Sequence, residues 1–147
     1  MNSYAILIDK KKMKNIGDKI LLSLAKKNNV SKYQIYGNLI FLECQKTITS
    51  LIIEEIKLSE ALKCSSDKED IYDTIKSLIK DKKMVNSFAI KVNRKGNHKY
   101  NSMGVAKDLA GAVFEKWRRI SVNLNNPELE IIVQIINNVS IVYLKYI

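Results

Sequence analysis

The stretch FAIKVNRKGNHK, Phe88 to Lys99, decides how the chain is read. Phe88, Ile90 and Val92 alternate with Ala89, Lys91 and Asn93, so the two sets point to opposite faces of a strand. The strand runs straight into Arg94-Lys95-Gly96-Asn97-His98-Lys99, and a helical apolar pattern follows at Val105, Ala106, Leu109, Ala110, Val113 and Trp117. Ser102 is the expected N-cap. Ala106, Ala110, Gly111 and Ala112 keep that helix slim enough to lie close to a sheet. A mid-helix glycine costs roughly 1 kcal/mol relative to alanine, and close packing at Gly111 is the expected compensation.

Downstream, Leu129–Ile136 and Val139–Tyr146 read as two strands joined at Asn137-Asn138, because asparagine tolerates the left-handed region a tight turn needs. Upstream, Ser66-Asp67-Lys68-Glu69 supplies a helix N-cap and early acids. Ile71, Ile75, Leu78 and Ile79 then make the buried stripe of that helix. The second half reads α-β-α-β-β-β. In the first half, Tyr4 to Ile8 is a buried strand, Lys10 to Lys14 a basic turn, and Ile16, Ile20, Leu21 and Leu24 one face of a helix over about 14–28. Tyr33 and Ile35 are joined to the run Leu39–Leu42 by a hairpin at Gly37-Asn38. Ile48, Leu51, Ile52 and Ile56 give a second helix, and Glu60 to Cys64 a closing strand. That order, β-α-β-β-α-β, is the ferredoxin-like pattern. The fold class is α+β. The expected domains are 1–65 and 66–147, packed rigidly together because no flexible linker separates them.

Composition bounds the function. The chain has 147 residues, 46% hydrophobic, with five Gly and one Pro, which suits a packed core and excludes low-complexity classes. Its 25 Lys+Arg against 15 Asp+Glu give a net charge of +10, which favours polyanionic partners. Nearly all of the excess is lysine, a bias that composition alone accounts for; the clustering of the basic residues is not explained that way. Cys44 and Cys64 lack metal-ligand spacing and read as reduced thiols. With no signal peptide and no apolar run near the ~20 residues of a membrane span, the expectation is a cytoplasmic protein away from membranes.

The leading candidate site is the strand-to-helix turn. Residues 91–99 hold Lys91, Arg94, Lys95 and Lys99 with no acid, and Asn97 and His98 add hydrogen-bonding groups. Cations that neutralise phosphates release condensed counterions, and the next helix would aim free N–H groups at the same phosphates. The alternative is a solvated lysine-rich loop. Lys10, Lys11, Lys12 and Lys14 either extend a backbone-binding surface or, the favoured reading, form a solvated turn, and Lys116, Arg118 and Arg119 read as cations that satisfy a helix C-terminus. Trp117 reads as core. A single histidine excludes a multi-His metal site, and glycine-rich phosphate loops and deaminase zinc motifs are absent from the sequence. No cofactor, no small-molecule substrate and no catalytic residue are expected.

The second half resembles the THUMP domain. Carrying the resemblance are Phe88-Ala89-Ile90-Lys91-Val92, Arg94-Lys95-Gly96-Asn97-His98, Ala110-Gly111, and Val122-Asn123-Leu124-Asn125-Asn126-Pro127-Glu128, with the strands Ile131–Ile135 and Ser140–Tyr143. Asn123 stands where the family typically has Asp. The first half is similar, by element order, to the ferredoxin-like unit that usually precedes THUMP. The resemblance implies a platform for the acceptor stem and 3′ end of tRNA, contacted by Lys91, Arg94, Lys95, His98 and Lys99, with Ser102 a further contact. With Ile147 ending the pattern, it also implies a stand-alone THUMP protein, not an enzyme, that delivers tRNA to a separate modifying enzyme such as a cytidine acetyltransferase. The alternatives are a protein–protein assembly subunit of an RNA-modification complex, or the RNA-binding subunit of a split methyltransferase or thiolation enzyme.

Overall fold

The computed structural model describes residues 2–48 and 57–147, in two compact units, Met1–Ala61 and Leu62–Ile147.

The first unit begins with β1 (Asn2–Leu7), a 3-10 turn (Lys10–Lys12), α1 (Met13–Lys26), β2 (Ser31–Tyr36) and β3 (Leu39–Cys44). Strand β4 (Ser59–Ser65) starts in this unit. The antiparallel order is β2-β3-β1-β4, with Tyr4 opposite Leu42 and also opposite Glu60. Met13, Ile16, Ile20 and Leu24 lie on one helical stripe and bury against Tyr4, Ile6, Ile40 and Leu42. The hairpin falls at Gly37, whose φ of 61° is easy for glycine. Lys11, Lys12 and Lys14 are exposed. The second helix read from Ile48, Leu51, Ile52 and Ile56 lies, beyond Ile48, outside the described residues.

In the second unit come α2 (Lys68–Ile79), β5 (Ser87–Lys95), α3 (Ser102–Lys116), β6 (Ser121–Val122), β7 (Leu129–Ile136) and β8 (Val139–Tyr146). The order is β8-β7-β5-β6. Strand β5 runs parallel to β7 with Phe88 opposite Leu129 and Lys95 opposite Ile136, and β7 and β8 form the hairpin at Asn137, whose φ is 53°. Ile71, Ile75 and Ile79 of α2 and Val105, Leu109 and Val113 of α3 bury against Phe88, Leu129, Ile131 and Val133. Trp117 joins that core.

Two local expectations are corrected, at α3 and at Gly111, while the cap of α2 falls inside the expected stretch with Glu69 and Asp70 in its first turn. Asn101, not Ser102, caps α3: its backbone is extended and its Oδ1 accepts from the Gly104 N–H at 2.6 Å, while Ser102 is already helical. At α2, Asp67 holds the cap position without a side-chain capping bond; the Ser65 hydroxyl accepts from the Asp67 N–H at 3.1 Å and donates to Asp70. Gly111 does allow a close approach, but to α2: a Cβ there would stand 3.2 Å from the Tyr72 hydroxyl.

Candidate nucleic-acid interface

Strand β5 carries its last residues, Arg94 and Lys95, into an exposed basic loop that is tied down from several sides. Asn137 N–H donates to the Lys95 carbonyl at 2.8 Å, which fastens the loop to the β7–β8 turn. Gly96 takes φ +111°, and a Cβ there would meet Asn137 Oδ1 at 2.6 Å, so the turn needs glycine twice over. Arg94 Nη1 donates to the Gly96 carbonyl at 3.2 Å and faces His98 Nδ1 at 3.0 Å. A guanidinium only donates, so Nδ1 accepts; the ring proton then sits on Nε2, which donates to the Asn137 carbonyl at 2.7 Å. The imidazole stacks on Tyr100, with centroids 5.3 Å apart and planes at 9°. The Tyr100 hydroxyl in turn donates to the Ser66 carbonyl at 2.5 Å. Burial raises the Tyr100 pKa, the nearby Arg94 charge opposing it, so this hydroxyl stays a donor.

These bonds set the candidates apart. Both ring nitrogens of His98 are engaged internally, one with Arg94 and one with the Asn137 carbonyl. Lys91 points to the other face of β5, where its Nζ meets Glu130 Oε1 at 3.1 Å. Glu130 is 7% exposed, and its charge neutralises the lysine. Arg94, Lys95 and Lys99 remain as exposed cations with no ion pair among the described residues. Ser102 sits in the first turn of α3 and lines an apolar groove of about 580 Å³ beside β5. Asn101 caps one N–H of that turn. The parts played by Tyr100 and Asn137 are not visible in sequence: Asn137 lies 39 residues from His98. The Gly96-Asn97 pair, which marks a turn, is the one sequence signal for this geometry.

Removing the Lys91 ammonium separates its structural role from an RNA role. The Lys91→Met variant should lose about 1–3 kcal/mol of stability in denaturant titration, because Glu130 is left buried and unpaired. Its tRNA affinity should change by less than about twofold, since the charge removed is already neutralised.

The model of the THUMP domain matches residues 65–145. The chain belongs to the THUMP domain family. The match covers the basic loop, α3 and the β7–β8 hairpin. Among curated relatives, a probable tRNA sulfurtransferase of Saccharolobus islandicus (strain L.S.2.15 / Lassen #1) is 30% identical over 83 residues, 56% of this chain and 22% of the relative. A probable tRNA sulfurtransferase of Sulfurisphaera tokodaii is 35% identical over 80 residues, 54% of this chain and 21% of the relative. The matches thus span about a fifth of those proteins' length. Two solved structures share the fold. PH1313 from Pyrococcus horikoshii Ot3 has a TM-score of 0.71 at 16% identity, over 100% of this chain and 55% of that one. A 4-thiouridine synthetase in complex with RNA and ATP has a TM-score of 0.73 at 12% identity, over 99% of this chain and 41% of that one. Among the described residues, no helix is long and apolar enough to cross a membrane.

Proposed function

We propose that this chain is a tRNA-binding adapter: its THUMP unit holds the acceptor stem and 3′ end of a tRNA while a separate protein performs the chemistry. The observation that carries the reading is the basic loop. Arg94, Lys95 and Lys99 stand exposed and unneutralised on a loop whose path is fixed by Gly96, His98, Tyr100 and Asn137. A fixed set of cations binds a backbone of fixed phosphate spacing with less ordering cost than a mobile one. Recognition by charge and shape suits A-form RNA, whose deep major groove hides its base edges. Membership in the THUMP family supports tRNA binding and a part in tRNA modification.

Two curated relatives are named probable tRNA sulfurtransferases, which favours thiolation as the reaction served. Cytidine acetylation rests on the resemblance of the sequence to stand-alone THUMP adapters. In either case the chain itself is assigned no catalytic residue. Modification of tRNA by the isolated chain with a cofactor would refute that assignment.

The test of the RNA site is the paired variant Arg94→Ala/Lys95→Ala, titrated with tRNA at several salt concentrations. Affinity at physiological salt should fall several-fold. The slope of log K against log salt should shrink by roughly 0.7–0.9 for each phosphate that the variant leaves unneutralised. The unfolding midpoint should hold, because both side chains are exposed. Unchanged affinity would remove the loop from the interface. Comparing intact tRNA with tRNA lacking its single-stranded 3′ end tests the acceptor-end part of the reading.

A further inference from the structure

Strand β5 has one open edge. Strand β6 covers it only at Ser87 and Phe88, and the last bond on that side runs from Asn123 N–H to the Phe88 carbonyl at 2.9 Å. Successive residues of a strand in a sheet direct their backbone groups to alternate sides, so the N–H and C=O of Ile90 and Val92 point the same way as those of Phe88. No strand among the described residues pairs with them there. The side chains of Ile90 and Val92 form one wall of the groove beside this edge, and Met103, Ala106 and Phe114 of α3 and Leu124 complete it. Met103 is 85% exposed and Leu124 70%, an unusual concentration of bare apolar surface on a chain this charged.

We propose that this edge and groove form a docking site for an extended segment of a partner protein, which adds to β5 as a further strand. Free backbone donors and acceptors beside an apolar trough are what strand addition uses: the ladder supplies affinity, and alternate side chains enter the trough. The stretch from Ile90 to Arg94 spans about 13 Å, room for one short strand. Charge selects the flanks of that segment. Lys107 lines the groove and Arg94 stands at the end of β5, both without an ion pair among the described residues, so acidic residues bordering an alternating apolar core fit best. RNA fits the trough poorly. Its most exposed lining residues, Met103 and Leu124, carry no ring for a base to stack on. The trough borders the basic loop at Arg94, and its apolar lining lies outside the loop.

The test pans displayed random peptides, each about nine residues long, against the full chain, with Met103→Glu/Leu124→Glu as the counter-selection bait. Both positions are exposed, so this bait keeps the fold. The expected winners alternate apolar residues between acidic flanks. A synthetic copy of the most enriched peptide should bind the double variant at least about tenfold more weakly in fluorescence anisotropy. Methylating one alternate set of its amide nitrogens should abolish binding, and methylating the other set should not. No enrichment, or equal effects of the two methylated sets, overturns the proposal. The double variant should bind tRNA within about twofold of the parent chain; a loss of about tenfold would make the groove an RNA site and overturn the proposal as well. A failure of Arg94→Ala/Lys95→Ala to weaken tRNA binding touches only the RNA reading.

Discussion

Gly96→Ala should weaken tRNA binding by about tenfold or more, a larger loss than removing any one cation of the loop. The cause is backbone geometry. Alanine at φ +111° is strained, at a cost of roughly 1–3 kcal/mol. Its Cβ would also stand 2.6 Å from Asn137 Oδ1 and 3.2 Å from Asn137 Cα, so the turn that Asn137 occupies has to shift. That turn holds the carbonyl to which His98 Nε2 donates, and the N–H that the Lys95 carbonyl accepts. His98 in turn accepts from Arg94, whose other bond goes to Gly96 itself. One methyl group therefore unseats Arg94, Lys95 and His98 together. Calorimetric unfolding should show the stability loss, and tRNA titration the affinity loss. Adding Asn137→Gly removes the Oδ1 collision and leaves the φ strain, so the double variant should recover part of the loss and not all of it. Parental affinity in Gly96→Ala would show that the tie between the loop and the hairpin turn does not position the cations.

What is legible in the sequence is local. Strands β7 and β8 and the turn at Asn137 follow from two apolar runs and a pair of asparagines, all within a few residues of one another. The buried stripes of α1 and α2 follow from spacing alone. The basic loop stands out because charge without acid is visible in one window. Its internal bonding does not. Lys91 and Arg94 look equivalent in sequence, yet they point to opposite faces of β5, and one meets a carboxylate 39 residues away. That pairing depends on the register of β5 against β7, which no local pattern encodes. His98 reads as a free loop histidine until Asn137 and Tyr100 are placed around it. The cap of α3 lies one residue before the expected Ser102, because Asn101 and Ser102 are both good caps and the backbone decides between them. Strand β6 spans two exposed residues, too short for any periodicity, and its pairing with β5 supplies the evidence for it.

The largest stability effect should come from Phe88→Ala, at roughly 3–5 kcal/mol. Phe88 is fully buried and meets Phe114 edge-on, with ring centroids 5.5 Å apart. It sits where three strands converge, opposite Leu129 on one side and Val122 on the other. Truncation there opens a cavity that α3 and the sheet, held apart by their own packing, fill only in part. Set against the roughly 5–15 kcal/mol that keeps an ordinary domain folded, the loss brings the second unit close to unfolding at physiological temperature. Urea titration followed at Trp117, which is buried in the same core, should report the shift in midpoint. Phe88→Leu keeps most of the volume and should cost much less. The pair also separates stability from binding. At a temperature where the Leu variant is folded, its tRNA affinity and salt slope should match the parent, because Arg94, Lys95 and Lys99 are untouched. A Leu variant that is folded but binds tRNA poorly would mean that the packing beneath β5, and not only the loop tie, sets where the cations stand.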